Sequence, residues 1–200
     1  MDLFELIIAH DDRVYTPDDD SYLLIDSISP NDSSKALEIG VGSGIVSLNL
    51  AKKVDEVFGC DINPFALELS KKNASLNHIN NLYLFSSNLF SSIKIGTLFD
   101  IIVFNPPYLP VDSPPRNYID LSYNGGIDGG EYIRKFLNYF GMYLSPKGRA
   151  YLLQSSLYPL ELTKKSLRLN HYDFEIINSL KLDFETLYVL EIRFAYNNTI

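Results

Sequence analysis

Ala36-Leu37-Glu38-Ile39-Gly40-Val41-Gly42-Ser43-Gly44 decides the fold: a short apolar run ends in alternating glycines and passes into a helix-like stretch from Ile45 to Lys53. The reading is strand, tight turn, helix. The pattern repeats downstream, with Val57 to Cys60 as a strand ending at Asp61, a helix from Pro64 to about Leu76, and a third strand from Leu82 to Phe85. Such alternation predicts βαβ units in a parallel sheet. Phe99 to Phe104, mostly apolar and rich in branched residues, suits a central strand covered on both faces, and Asn105-Pro106-Pro107 stops it. Upstream, Thr16-Pro17-Asp18-Asp19 reads as a helix start, with Thr16 as N-cap, Pro17 at the first helical position and a helix over 16–29.

From Leu109 to Gly130 the chain is rich in proline and glycine and lacks apolar periodicity, which predicts a long substrate-facing loop. A helix from Glu131 to Leu144, a strand from Ala150 to Gln154 and a helix near Leu160 to Leu169 follow. Two closing strands, Phe174 to Leu180 and Leu187 to Phe194, are joined by a short connection around Asp183, so they pair antiparallel. The expected fold is α/β: a doubly wound, Rossmann-like, seven-stranded and mostly parallel sheet with one antiparallel strand. One domain spanning 1–200 is expected, with ligands beyond the carboxyl ends of the strands.

Composition narrows the partners. In 200 residues, 46% are apolar and 21% charged, enough for one filled core. The net charge of -8 disfavours an extended nucleic-acid footprint, and Lys52-Lys53, Lys71-Lys72 and Lys164-Lys165 read as solvated helix faces. Cys60 is the single cysteine and His10, His78 and His171 lie far apart, so no internal disulfide and no zinc site of ordinary spacing is expected. The apolar patch at Leu3, Phe4, Leu6, Ile7 and Ile8 is flanked by acids where a signal peptide carries positive charge, and a cytoplasmic protein is expected.

The glycines Gly40, Gly42 and Gly44 allow a tight turn and close approach of a ligand to the backbone. Asp61 follows Gly40 by about 20 residues, the place of a carboxylate that accepts from ribose hydroxyls. The pairing points to an adenosine-type cofactor. The spacing GxGxG differs from the dinucleotide fingerprint, and Glu38 beside it opposes a pyrophosphate while suiting a cofactor that carries an ammonium and a sulfonium. Asn88-Leu89-Phe90, after the third strand, is placed to approach the adenine amino group or to form an ordinary turn.

Asn105-Pro106-Pro107-Tyr108 is the most specific feature. Proline fixes φ and lacks an N–H, so the Pro106 carbonyl can be held rigidly into a site. A planar NH2 has two in-plane donors, and the Asn105 side-chain oxygen and the Pro106 carbonyl can accept both. Tyr108 would stack on the planar group.

With these motifs the chain resembles the HemK/PrmC-type release-factor glutamine methyltransferases, in particular the short archaeal and eukaryotic branch without a separate N-terminal domain. The resemblance spans Val14 to Leu24, Glu38, Gly40, Asp61-Ile62-Asn63-Pro64, Asn105 to Tyr108, Gly125-Gly126-Ile127-Asp128-Gly129 and Glu185-Thr186-Leu187. Asn88 stands where that family usually has Asp. The resemblance implies the class I methyltransferase fold with S-adenosylmethionine as cofactor, Ser21 touching it, and Ile62, Leu89 and Asn105 counted with its binding residues. It implies that the substrate is the glutamine of the GGQ loop in a class I peptide-chain release factor, methylated on its side-chain amide. It also implies a small zinc-binding activator subunit docking along a sheet edge.

Three rival functions fit the sequence less well. The same tetrapeptide suits an exocyclic amine of a flipped nucleobase, which the acidity and the absence of room for a base-reading domain disfavour. A lysine gains nothing from planar acceptors, and a non-catalytic cofactor-binding scaffold has no use for the intact tetrapeptide.

Overall fold

The structure is a computed structural model that describes residues 6–30 and 34–195. Leu3 and Phe4, the middle of the polar break after Pro30 and the extreme ends of the expected 1–200 domain lie outside the described residues.

Seven strands form one sheet in the order β3-β2-β1-β4-β5-β7-β6. They are β1 (Lys35–Ile39), β2 (Glu56–Asp61), β3 (Leu82–Ser86), β4 (Phe99–Phe104), β5 (Leu144–Ser155), β6 (Tyr172–Lys181) and β7 (Thr186–Phe194). The pairs β1 with β2, β1 with β4, β2 with β3 and β4 with β5 are parallel, and β7 runs against both β5 and β6. The expected mostly parallel sheet with one reversed strand is what forms. Strand order reverses between β1 and β4, which opens a crevice at their carboxyl ends.

The sheet is covered on both sides because its side chains alternate between two apolar layers. Leu37, Ile39, Ile102, Phe104 and Leu152 join Phe136 and Phe140 in one layer. Ala36, Ile101, Val103, Tyr151 and Leu153 join Leu24, Val46 and Leu50 in the other. Ile101, Ile102 and Val103 are almost wholly buried, and each such side chain contributes roughly 1.5–3 kcal/mol by leaving water. This burial explains a strand of β-branched residues without polar alternation.

The helices are α1 (Asp19–Ser27), α2 (Ile45–Ala51), α3 (Pro64–Leu76), α4 (Tyr118–Tyr123), α5 (Glu131–Tyr139) and α6 (Leu160–Leu169). The start of α3 is written locally: Asn63 accepts from Phe65 N at 3.0 Å, and Pro64 takes the first position.

Several boundaries differ from expectation; α1 also ends at Ser27 rather than at 29, and β6 begins at Tyr172 rather than Phe174. Helix α1 begins at Asp19 with Asp18 as N-cap, because the Asp18 carboxylate accepts from Asp19 N while Thr16 Oγ1 pairs with His10 Nδ1. Helix α2 ends at Ala51 rather than Lys53. Helix α5 stops at Tyr139, a 3-10 turn covers Phe140–Met142, and Leu144 already belongs to β5, where it pairs with Phe99. The segment 109–130 is not all loop: Asn117 caps α4 by accepting from Asp120 N at 2.9 Å. Among the described residues no helix is long and apolar enough to cross a membrane.

Candidate active site

Every residue expected at the cofactor or catalytic position except Gly44 lines one cavity of about 330 Å3 at the crevice. Ser21, Glu38, Gly40, Gly42, Asp61, Ile62, Asn88, Leu89, Asn105, Pro106, Pro107 and Tyr108 all border it. Gly44 stands just behind, as the left-handed cap of α2 with φ of 86°. A Cβ there would lie 2.9 Å from Ser70 Oγ, so the turn needs glycine for space as well as for backbone angle.

The glycine turn is held from two sides. Asp61 accepts from Gly42 N at 3.0 Å and from Asn63 N at 2.9 Å. Sequence alone suggested a carboxylate free for outside donors; instead it also pins two turns, and burial raises its pKa. Glu38 accepts from Ser47 N at 2.8 Å and from the Ser47 hydroxyl. Its carboxylate therefore takes a first-turn N–H of α2, the group a phosphate would need. Burial pushes the Glu38 pKa up to about 8 against the Ser47 hydrogen bonds. Leu89 adopts a left-handed φ of 50°, and Asn88 is solvent-exposed.

At the end of β4 the Asn105 Nδ2 donates to Asp20 Oδ2 at 3.0 Å. Asn105 Oδ1 is buried without a hydrogen-bond partner. Among the described residues no N–H donates to the Pro106 carbonyl. Asp20 is itself buried, and it collects Ser21 N at 2.5 Å, Ser21 Oγ at 3.1 Å and Tyr15 OH at 3.1 Å. Burial, then the charge of Asp20, raise the pKa of the Tyr15 hydroxyl and of the Tyr108 hydroxyl. Both phenols stay neutral.

The segment 125–129 supports the tetrapeptide from behind. A Cβ at Gly129, where φ is 74°, would fall 2.5 Å from the Tyr108 carbonyl oxygen, and one at Gly125 would fall 2.8 Å from Tyr108 Cα. Leu109 N donates to Tyr123 O and Gly125 N to Leu109 O, both at 2.9 Å, which ties α4 and the glycines to the same turn. Tyr118, Leu121, Tyr123, Tyr132 and Glu185 complete the cavity wall.

Asp20 was not singled out as a site residue from the sequence. Its acid-hydroxyl pair with Ser21 in a first helical turn reads as helix capping, and its partner lies 85 residues away. The aromatic wall of α4 was missed with the helix itself.

A family model described as Methyltransferase small domain matches residues 7–112, the stretch that carries the glycine turn, Asp61 and the tetrapeptide. The chain belongs to this methyltransferase family. It is 39% identical over 181 residues, 89% of this chain and 90% of the relative, to "Putative protein N5-glutamine methyltransferase MJ0928" of Methanocaldococcus jannaschii. It is 31% identical over 153 residues to "Methyltransferase HEMK2" of Mus musculus, covering 70% of this chain and 71% of that protein. Among solved structures it resembles the E. cuniculi Mtq2-Trm112 complex, described as responsible for methylation of the eRF1 translation termination factor. The TM-score is 0.73 at 25% identity, over 92% of this chain and 99% of that one. The expected methyltransferase fold and family are thus what the chain has.

Proposed function

We propose that this methyltransferase uses S-adenosylmethionine to methylate the side-chain amide nitrogen of a glutamine in a class I peptide-chain release factor, at its GGQ loop. One observation carries the reading: Asn105 presents a buried acceptor with no partner, next to the unclaimed carbonyl of Pro106. An NH2 has two in-plane donors for these two acceptors. The names of the relatives add the glutamine and the termination factor.

The residues on the other side fit the cofactor. Asp61 has further lone pairs for ribose hydroxyls beyond its two backbone donors. Gly40 and Gly42 leave the main chain open, Ser21 and Ile62 border the space, and Asn88 with Leu89 faces the adenine end. Glu38 holds the first-turn N–H that a phosphate would need, and a cationic ligand beside it would favour its ionised form. When bound, S-adenosylmethionine supplies an electrophilic methyl on a good leaving group.

This chain's own contribution is positioning. Asn105 and Pro106 hold the amide in plane so that its nitrogen faces the methyl, and their attraction grows as positive charge builds on that nitrogen. Pro107 stiffens the turn, and Tyr108 stacks on the amide plane. Asp20 fixes the Asn105 orientation. The chain works as a single domain in which α1 covers the cofactor side and segment 109–130 faces the substrate. A small zinc-binding activator covers a sheet edge; the solved relative is a two-protein complex, and β3 is an edge strand on which Tyr83 is exposed.

Mass spectrometry of a release factor incubated with this chain, activator and cofactor tests the reading. One added methyl on the GGQ glutamine is expected. An unmodified factor, with methyl found instead on a nucleobase or lysine, refutes it.

A further inference from the structure

Glu185 lies in the short turn between β6 and β7 and borders the cavity. Its Oε2 is buried and has no hydrogen-bond partner. The carboxylate stands close enough to act electrostatically on the Tyr108 hydroxyl. A carboxylate oxygen only accepts, and leaving it buried and unpaired is unfavourable, so the donor that completes it comes from an occupant of the cavity.

Sheet order indicates which occupant. The glycine turn and Asp61 follow β1 and β2, and Asn105 follows β4. Beyond β4 come β5 and then β7, with Ser155 opposite Leu187, so the start of β7 lies beside the carboxyl end of β5. Glu185 is therefore on the side of Asn105 away from β1 and β2, where the second substrate has to sit. The target NH2 already has its two acceptors in Asn105 and Pro106. The donors left on a polypeptide at this place are backbone N–H groups.

Resting on the function proposed above, we propose that Glu185 is a substrate-positioning residue whose free carboxylate oxygen accepts a backbone N–H of the polypeptide segment that presents the target glutamine. The adjacent Phe184, 95% exposed, offers the same segment an apolar contact. The Glu185 backbone carbonyl accepts from Leu182 N at 2.8 Å and closes the hairpin, so replacing the side chain leaves that turn intact.

The test compares wild type, Glu185→Gln and Glu185→Ala, each coexpressed with the activator, in steady-state methyl transfer to the intact release factor. For Glu185→Ala the KM for the factor should rise about tenfold or more, the size of a lost hydrogen bond to a charged group. Glu185→Gln should fall between the two, with kcat within about threefold of wild type in both variants. Adenosylhomocysteine affinity and Tm should match wild type. An unchanged KM in an active protein overturns this inference alone. A parallel loss of adenosylhomocysteine affinity also overturns it, by assigning Glu185 to the cofactor. A wild type that transfers no methyl to the factor refutes the proposed function first, and this inference with it.

Discussion

Asn105 Nδ2 donates to Asp20 Oδ2 at 3.0 Å, joining the end of β4 to the first turn of α1. Because a carboxylate offers acceptors only, this contact decides which end of the Asn105 amide points away from α1. The oxygen is left for the cavity. Asp20→Asn should undo that choice. Ser21 N and Ser21 Oγ both converge on the Oδ1 position of residue 20, so the new amide keeps its oxygen there and turns its NH2 toward Asn105, which must flip to avoid donor against donor. Turnover should fall on the order of a hundredfold, as for loss of one preorganised partner, with adenosylhomocysteine affinity much less affected. Single-turnover methyl transfer and calorimetric titration separate the two effects; equal losses in both would assign Asp20 to cofactor binding.

Asp61 carries two loads, so Asp61→Ala should do more than remove a ligand contact. Gly42 N and Asn63 N lose their acceptor, which should lower unfolding free energy by about 1–3 kcal/mol. Adenosylhomocysteine affinity should fall at least about tenfold as the hydroxyl acceptor goes. Denaturant unfolding and calorimetry check the pair, and affinity within threefold of wild type would remove Asp61 from the site.

Two glycines with left-handed backbone angles should respond differently to alanine. Gly42, with φ of 52° and nothing near a built Cβ, should lose only the conformational term of about 1–2 kcal/mol. Gly129, with the Tyr108 oxygen 2.5 Å from its Cβ position, should lose more and displace the tetrapeptide. Gly129→Ala should therefore lower both Tm and turnover, while Gly42→Ala keeps the larger share of its stability. Equal Tm losses would mean that segment 125–129 does not support Tyr108.

Glu38 sets a pH dependence for the ligand-free protein. Its pKa rises from 4.5 to about 8 on folding, so between those values the folded state holds a proton that the unfolded chain has released. Stability therefore falls as pH rises through this window. Urea unfolding from pH 4.5 to 8 should show the decline, and Glu38→Gln should flatten it. A variant with the wild-type slope would contradict the assignment.

What was legible in the sequence was what is encoded locally. Asn63-Pro64 marks the start of α3 by capping and by fixed φ, and the branched run Phe99 to Phe104 marks a doubly covered strand. The early half of β5 was hidden because Ser145-Pro146-Lys147-Gly148 looks like a turn, and only the pairing of Leu144 with Phe99 draws it into the sheet. Helix α4 lies in a proline-rich stretch and buries no residue fully, so it leaves no apolar stripe to read. The tetrapeptide was legible as a motif. Its orientation was not, because the acid that orients Asn105 belongs to a different element.

In the proposed mechanism the Asn105 oxygen accepts an N–H of the target amide more strongly in the transition state than in the ground state. Single-turnover methyl transfer to the intact release factor by Asn105→Ala and Asn105→Asp, with adenosylhomocysteine affinity measured alongside, tests it most directly. Asn105→Ala should lose on the order of a hundredfold in rate, about 3 kcal/mol, with substrate and cofactor affinity far less changed. Asn105→Asp keeps an acceptor but sets a carboxylate against Asp20 where a donor stood, and it should bind cofactor normally or better yet methylate slowly. Wild-type turnover in both variants would contradict the claim and leave Asn105 a structural turn residue.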